Sequence, residues 1–461
     1  MIALSSRLAL SRITTNRSGL DVLAVIAFAV TAFLALTVAG GTAMFVERFH
    51  NPPAALVELT TDTPFAYWTA SEFAETYVFL AVVACAILIV PILSLGGGAA
   101  RLGASGRSRR LASLRLIGMT GGEVVLMSVI ESVILTVAGA VFGSMLFALS
   151  LPLWKFVSFH NESIAATEMV APWWVNLAVL ALIVALSAVS TVIGLQRVVI
   201  SPLGVARRES PRALKFWRVI IFVGAIIFAV IASQTFDLRQ SDIAQILTIG
   251  GVLLFVLFSV NLVGPWIIQL LARPLTRMSS PATLLGMRRL VAQPRDAWRN
   301  VAALAFIGFL AAFTAGVPAT PDDPLFNLQV KDISTGTIIT LLIGLIIAAT
   351  STLINQAAYT VDRAEQTVAL TRMGTPRSVF EHARYRQVIL PLVTTLGAAV
   401  PLGFLMMALI TGNTEDMRME ISGVPTLIAV IIIGLALCIG AAAASRPIET
   451  KILTSDYRRN D

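Results

Sequence analysis

Long apolar stretches alternate along this chain with short polar segments rich in arginine. Ten apolar runs fall near 22–44, 75–98, 120–150, 173–195, 217–234, 245–271, 299–317, 334–357, 386–411 and 424–445. At about 1.5 Å per helical residue, each is long enough to cross a hydrocarbon core of roughly 30 Å. The first run is too long for the apolar part of a secretory leader, and it has an internal echo that a removed leader would not need.

That echo is part of a repeat. Residues 8–40 align without a gap on 284–316, placing Arg12 on Arg288, Phe33 on Phe309 and Ala39-Gly40 on Ala315-Gly316. The cassette 107–143 matches a second segment beginning near 363. In both, a charged helix ends in Leu-x-x-x-Gly, Leu114 to Gly118 and Leu370 to Gly374. An apolar span follows, with glycines near its middle: Gly139 and Gly143, or Gly397 and Gly403. The offset of this second match is about twenty residues smaller than that of the first, and a shortened outside loop near 318–333 accounts for the loss.

The expected fold is therefore an all-α membrane protein of ten transmembrane helices. Two four-helix units are joined by a two-helix linker. An even number of intervening spans gives both units the same orientation, a parallel repeat about a pseudo-two-fold axis along the membrane normal. The boundaries expected are a cytoplasmic interfacial N-terminal helix at 1–21, the first unit at 22–200, the linker at 201–282, the second unit with its leading interfacial helix at 283–446, and a cytoplasmic tail at 447–461.

Composition and charge agree with that plan. The chain is 57% hydrophobic and 13% charged, more apolar than a soluble interior of this length can hide. With the N-terminus inside, each outside loop holds one basic residue (Arg48, Lys155, Arg239, Lys331, Arg418), and the rest of the 34 Lys and Arg face the cytoplasm. So lopsided a distribution is the positive-inside bias, which explains the net charge of +8 without nucleic acid. Both termini are expected in the cytoplasm of a bacterial plasma-membrane protein.

Candidate chemistry is sparse. No Gly-x-x-x-x-Gly-Lys-Ser/Thr loop is present, and Gly96-Gly97-Gly98 lacks its lysine, so the chain is not expected to hydrolyse ATP itself. His50, His160 and His382 lie far apart and on both sides, which argues against a metal or acid–base site. Cys85 and Cys438 sit in apolar runs and read as small core residues. Trp154, Trp173 and Trp174 fit an interfacial aromatic belt.

Glu131 is read as the one acidic residue well inside a span, and it is expected to face the bundle. It is either a gate or coupling residue or a structural hydrogen-bonding group between helices. Gly139 and Gly143, with Ala140, form a small-residue face that lets helices approach closely. The charged cytoplasmic helices carry Arg107, Arg109, Arg110 and Arg115 in one copy and Arg363, Glu365 and Arg372 in the other. They either dock a partner that pushes on the membrane helices or hold anionic headgroups.

With these residues in view, the chain resembles the FtsX-like permease family, the membrane half of type VII ABC systems. The motifs are Leu-Arg-Leu-Ile-Gly-Met-Thr (114–120), Leu-Thr-Arg-Met-Gly-Thr (370–375), a span with Glu131 and Gly139-Ala140-x-x-Gly143, and the exit Ile200-Ser201-Pro202-Leu203-Gly204. The ten-span form is similar to bacitracin-type antimicrobial-peptide exporter permeases, without their large extracellular domain. The resemblance implies an ATP-binding subunit dimer, two copies per chain, docked through the two charged helices ending at Gly118 and Gly374. ATP and magnesium would be bound there and not by this chain. It also implies export or extraction of a lipid, peptide or antibiotic. The alternative is a subunit that transports nothing and transmits force to an extracytoplasmic partner such as a cell-wall hydrolase or a sensor kinase. A secondary transporter would need paired intramembrane ionisable residues, and only Glu131 is read as one.

Overall fold

The computed structural model describes residues 19–62, 69–105, 120–200, 216–233, 243–278, 280–315, 324–362, 364–411, 424–444, 446 and 450. Apart from one short hairpin it is helical throughout. In chain order the helices are α1 (Gly19–His50), α2 (Ala54–Asp62), α3 (Ala70–Ser105), α4 (Gly121–Ser150), α5 (Trp173–Ile200), α6 (Trp217–Ser233), α7 (Ile243–Leu275), α8 (Pro281–Ala292), α9 (Pro294–Ala315), α10 (Pro324–Asp362), α11 (Ala364–Arg372), α12 (Arg377–Thr411) and α13 (Val424–Ala443). Between α4 and α5 lie a 3-10 turn, Leu151–Phe156, and the strands β1 (Ser158–Phe159) and β2 (Glu162–Ser163).

Seven helices among the described residues are long and apolar enough to cross a membrane, on α1, α3, α4, α5, α10, α12 and α13. The chain is a multi-pass, all-helical membrane protein. The other three expected runs lie on α6, α7 and α9. The described part of α6, 17 residues at ~1.5 Å each, reaches about 26 Å.

Packing falls into two groups. In the first, α1 lies against α3, α4 and α5, while α5 also touches α3 and α4. In the second, α9 lies against α10, α12 and α13, while α13 also touches α10 and α12. The groups meet where α10 packs on α1 and α3, and α9 on α3. The α6–α7 pair leans on the second group through α8, α9 and α12.

Small residues set the closest approaches. A Cβ built at Gly143 would stand 2.4 Å from the Ala29 carbonyl oxygen and 2.7 Å from the Ala32 Cβ. One at Gly403 would stand 2.4 Å from the Phe309 carbonyl oxygen and 2.9 Å from the Ala312 Cβ. Gly139 seats the Phe28 Cβ, which an added Cβ would meet at 2.4 Å. Lipid gives no hydrophobic drive between helices, so such backbone contact supplies the dispersion that holds them.

Gly397, expected in the same role, does not make this contact: it is exposed, and a Cβ there would meet nothing within 4 Å. Six residues separate it from Gly403, about 600° of helix at 100° per residue, so the two point to different sides. Gly139 and Gly143, four apart, share a face. In α12 the neighbouring position Ala399 takes the inward place, against Gly308 of α9.

Candidate functional site

The described residues that combine burial, charge and an adjoining cavity lie at the expected outer end, where the two groups meet. The construction begins with the hairpin. His160 and Asn161 have φ of 56° and 59°, and Ser158 pairs with Ser163 while Phe159 pairs with Glu162. Two consecutive left-handed residues make a tight primed turn, and Asn and His are among the side chains that tolerate that region.

Arg48, on the last turn of α1, fastens this hairpin. It is 3% exposed. Its Nη1 donates to the Phe159 carbonyl at 2.7 Å and its Nη2 to the Ser163 carbonyl at 3.3 Å. Its Nε donates to Glu168 Oε2 at 2.9 Å, and Nη2 lies 2.7 Å from the same oxygen. One guanidinium thus holds both strands and the segment leading to α5, the forked recognition that only Arg provides.

The second group reaches the same place through Asp332 of α10, which is 1% exposed. Its Oδ2 accepts from the His160 backbone N–H at 2.7 Å and from the Tyr77 hydroxyl at 3.1 Å. The His160 ring lies on Tyr77 with centroids 4.2 Å apart, with Phe45 and Phe73 around it. Neither ring nitrogen has a hydrogen-bond partner among the described residues. Burial, and then the positive charge of Arg48, hold the imidazole's pKa down to about 4, so it is neutral at ordinary pH.

Beneath the hairpin is a cavity of about 180 Å³ between α1, α3 and α10. Its wall is mostly apolar. Polar side chains line it at Thr37, Thr42, Tyr77, Asp332, Thr337 and Thr340, and Trp154 and Phe159 of the outer segment also line it.

The residues singled out in the sequence lie elsewhere. Glu131 is 6% exposed, next to a buried hydroxyl ladder between α4 and α5. In that ladder the Ser132 and Ser187 hydroxyls lie 2.8 Å apart, Thr136 Oγ1 donates to Ser187 Oγ at 2.7 Å, and Thr191 Oγ1 donates to Ser132 Oγ at 2.9 Å. The Leu-x-x-x-Gly motif of the second copy is a helix stop. Gly374 takes φ of 88°, its N–H bonds the Thr371 carbonyl at 3.0 Å, and the Thr375 N–H bonds that of Leu370 at 3.1 Å. These two bonds are the Schellman motif, in which glycine accepts the left-handed angle without a Cβ penalty. Arg372 is exposed beside it. Arg107, Arg109, Arg110, Arg115, Gly118 and Arg363 lie outside the described residues, as does the side chain of Glu365.

The sequence reading passed over Arg48, Tyr77, His160 and Asp332. Local spacing gave no signal for Asp332: α10 starts at Pro324, ten residues before the apolar run at 334–357, and so carries Asp332 into the bundle. No family model matches the chain, and no curated protein matches it.

Proposed function

We propose that the chain is the permease subunit of a bacterial plasma-membrane ABC transporter. It couples ATP hydrolysis by a separate ATP-binding dimer to export or extraction of an amphipathic substrate. Eight of the ten expected spans form two four-helix units in the same orientation, joined by the other two and worked from below through the paired charged elbows at 101–118 and 362–384. ATP closure of the dimer drives the units against each other and expels what lies between them.

The observation that carries this reading is the agreement between the two groups. In each, the first helix touches the other three, and the fourth also touches the second and third. In each, a glycine of the third helix sits on residues i, i+3 and i+4 of the first: Ala29, Ala32 and Phe33 under Gly143, and Phe309, Ala312 and Phe313 under Gly403. Gly143 follows Ala29 by 114 residues and Gly403 follows Phe309 by 94, a difference of twenty that matches the residues lost between the repeats. The contacts sit about one turn further along the second unit than the sequence alignment alone would put them. A cavity at the seam between the units favours transport over the alternative of pure force transmission.

Co-purification from the native host tests the reading. The expected result is an ATP-binding chain at two copies per permease, with ATPase activity that depends on the permease. Recovery of no ATP-binding chain, together with no such activity, overturns it. Replacing the exposed Val57 and Glu58 of α2, outside the cavity wall, with lysine separates the two modes. An exporter keeps substrate-stimulated ATPase activity, whereas a force transmitter loses its outer partner.

A further inference from the structure

We infer that the seam cavity is a binding site for an amphiphile with a protonated amine head, and that Asp332 receives the ammonium group. The inference rests on the permease reading for its physiological meaning, but not for its test.

The carboxylate is the reason. Asp332 is 1% exposed and lines the cavity on a membrane-crossing helix. A buried carboxylate is costly unless a cation or several donors compensate it, and inside a membrane helix it is a functional candidate by default. Both of its donors, Tyr77 Oη and His160 N, fall on Oδ2. Oδ1 is left without a donor among the described residues. None of their lysines or arginines forms a salt bridge with Asp332, and the nearby Arg48 is committed to Glu168 and to the hairpin carbonyls. The neutral His160 supplies no positive charge. The site thus has a buried carboxyl group held in place by two donors on one oxygen, with no salt-bridge partner among the described residues.

The rest of the cavity fits a slim apolar tail. From Asp332 to Ile343, both on its wall, α10 advances about 16 Å at ~1.5 Å per residue. The opposite wall includes Leu80, Ala84 and Leu88 of α3. A volume of 180 Å³ equals roughly six waters at ~30 Å³ each, so in this conformation the tail is a single short chain. An anionic head would have to sit against the Asp332 carboxyl group, and a neutral head would gain no ion pair from it.

The test is equilibrium binding of tritiated octylamine to the full chain in phosphatidylcholine nanodiscs, with empty nanodiscs as background. The expected result is saturable binding at one site, displaced by octylamine better than by octanol and poorly by octanoate. Asp332→Asn can still accept from Tyr77 and His160, and it should weaken octylamine by about 10- to 100-fold while leaving octanol within about twofold. Gly41→Leu tests the tail. Gly41 lines the cavity and a Cβ there meets nothing within 4 Å, so a leucine fills the space and should abolish binding of both ligands. Absence of saturable binding, an unchanged Asp332→Asn, or octanoate competing as well as octylamine overturns the inference. If Asp332→Asn does not fold, the head-group series on the unaltered protein still decides. Nanodiscs containing phosphatidylethanolamine distinguish the source of the amine. Weakened octylamine binding there marks an aminolipid as the occupant, and unchanged binding marks a soluble amine. Because no ATP-binding subunit is present, failure to find one leaves this result untouched.

Discussion

The two four-helix groups share most of their helix contacts and hold them with different chemistry. In the first, Phe28 of α1 presses into Gly139 of α4; in the second the sizes are exchanged, with Gly308 of α9 under Ala399 of α12. In the first, α4 and α5 are joined by four buried hydroxyls. In the second, α13 meets α10 through Gly434, where an added Cβ would lie 2.3 Å from Leu345. Among the described residues the first group carries an outer hairpin and the arginine that fastens it; the second contributes Asp332 to the same place. The comparison teaches that helix order and closest approach are what a bundle of this kind must keep. Polar contacts are free to differ, and the seam between groups is where the difference becomes useful.

The largest effect expected is at the approach both groups share. Gly143→Leu and Gly403→Leu each drive a side chain into the backbone of the facing helix, where even a Cβ would stand 2.4 Å from a carbonyl oxygen. Each should cost about 3 kcal/mol or more, read as loss of monodisperse protein after extraction. Gly397→Leu, on the exposed side of α12, should be recovered like the unaltered protein. Equal losses at all three positions would break the comparison.

Next is the hairpin fastening of the first group. Arg48→Met keeps the side-chain length but leaves two carbonyls and Glu168 without their donor. Glu168 is 27% exposed, so water recovers part of the loss, and the cost should be about 2 to 3 kcal/mol. Thermal melting followed by tryptophan emission measures it, and limited proteolysis should cut within 157–170 first.

His160 sharpens the same point through pH. Its folded pKa of about 4 lies below the ordinary value near 6.5, so the unfolded state binds the proton first and stability falls with acid. The contribution is complete above pH ~6.5, is reduced by about 2 kcal/mol at pH 5, and is lost through pH ~4. His160→Phe keeps the aromatic packing at some cost in the left-handed turn, and its melting temperature should be flatter between pH 7 and 5. A slope as steep as that of the unaltered protein would remove His160 from the account.

What the sequence made legible is what local pattern encodes. Apolar length marked the membrane helices, Leu-x-x-x-Gly marked the stop at Gly374, and small residues four apart marked the face of Gly139 and Gly143. Gly397 was misplaced because spacing was read without helical phase. The outer cluster was hidden for a different reason. Tyr77 meets Asp332 across 255 residues of chain, and His160 meets it across 172. Nothing near Arg48 or Lys331-Asp332 distinguishes them from charges on a loop until the helices that carry them are seen to run deeper than their apolar runs.

The smallest effects separate the hydroxyls of the two groups. Ser187 sits within hydrogen-bond distance of both Ser132 and Thr136, so Ser187→Ala leaves buried hydroxyls short of a partner. It should cost about 1 to 2 kcal/mol, within the range of interhelical hydrogen bonds in membranes. Thr395 of α12 is its counterpoint. Its Oγ1 is buried and has no hydrogen-bond partner among the described residues. Replacing that hydroxyl by a methyl of nearly the same shape removes an unmet polar group, so Thr395→Val should be neutral or stabilising by up to about 1 kcal/mol. Opposite signs in the shift of melting temperature would place the working hydroxyls in the first group and an unused one in the second. A Thr395→Val loss as large as that of Ser187→Ala would mean that Thr395 has a partner after all, and that both groups are held by hydroxyls.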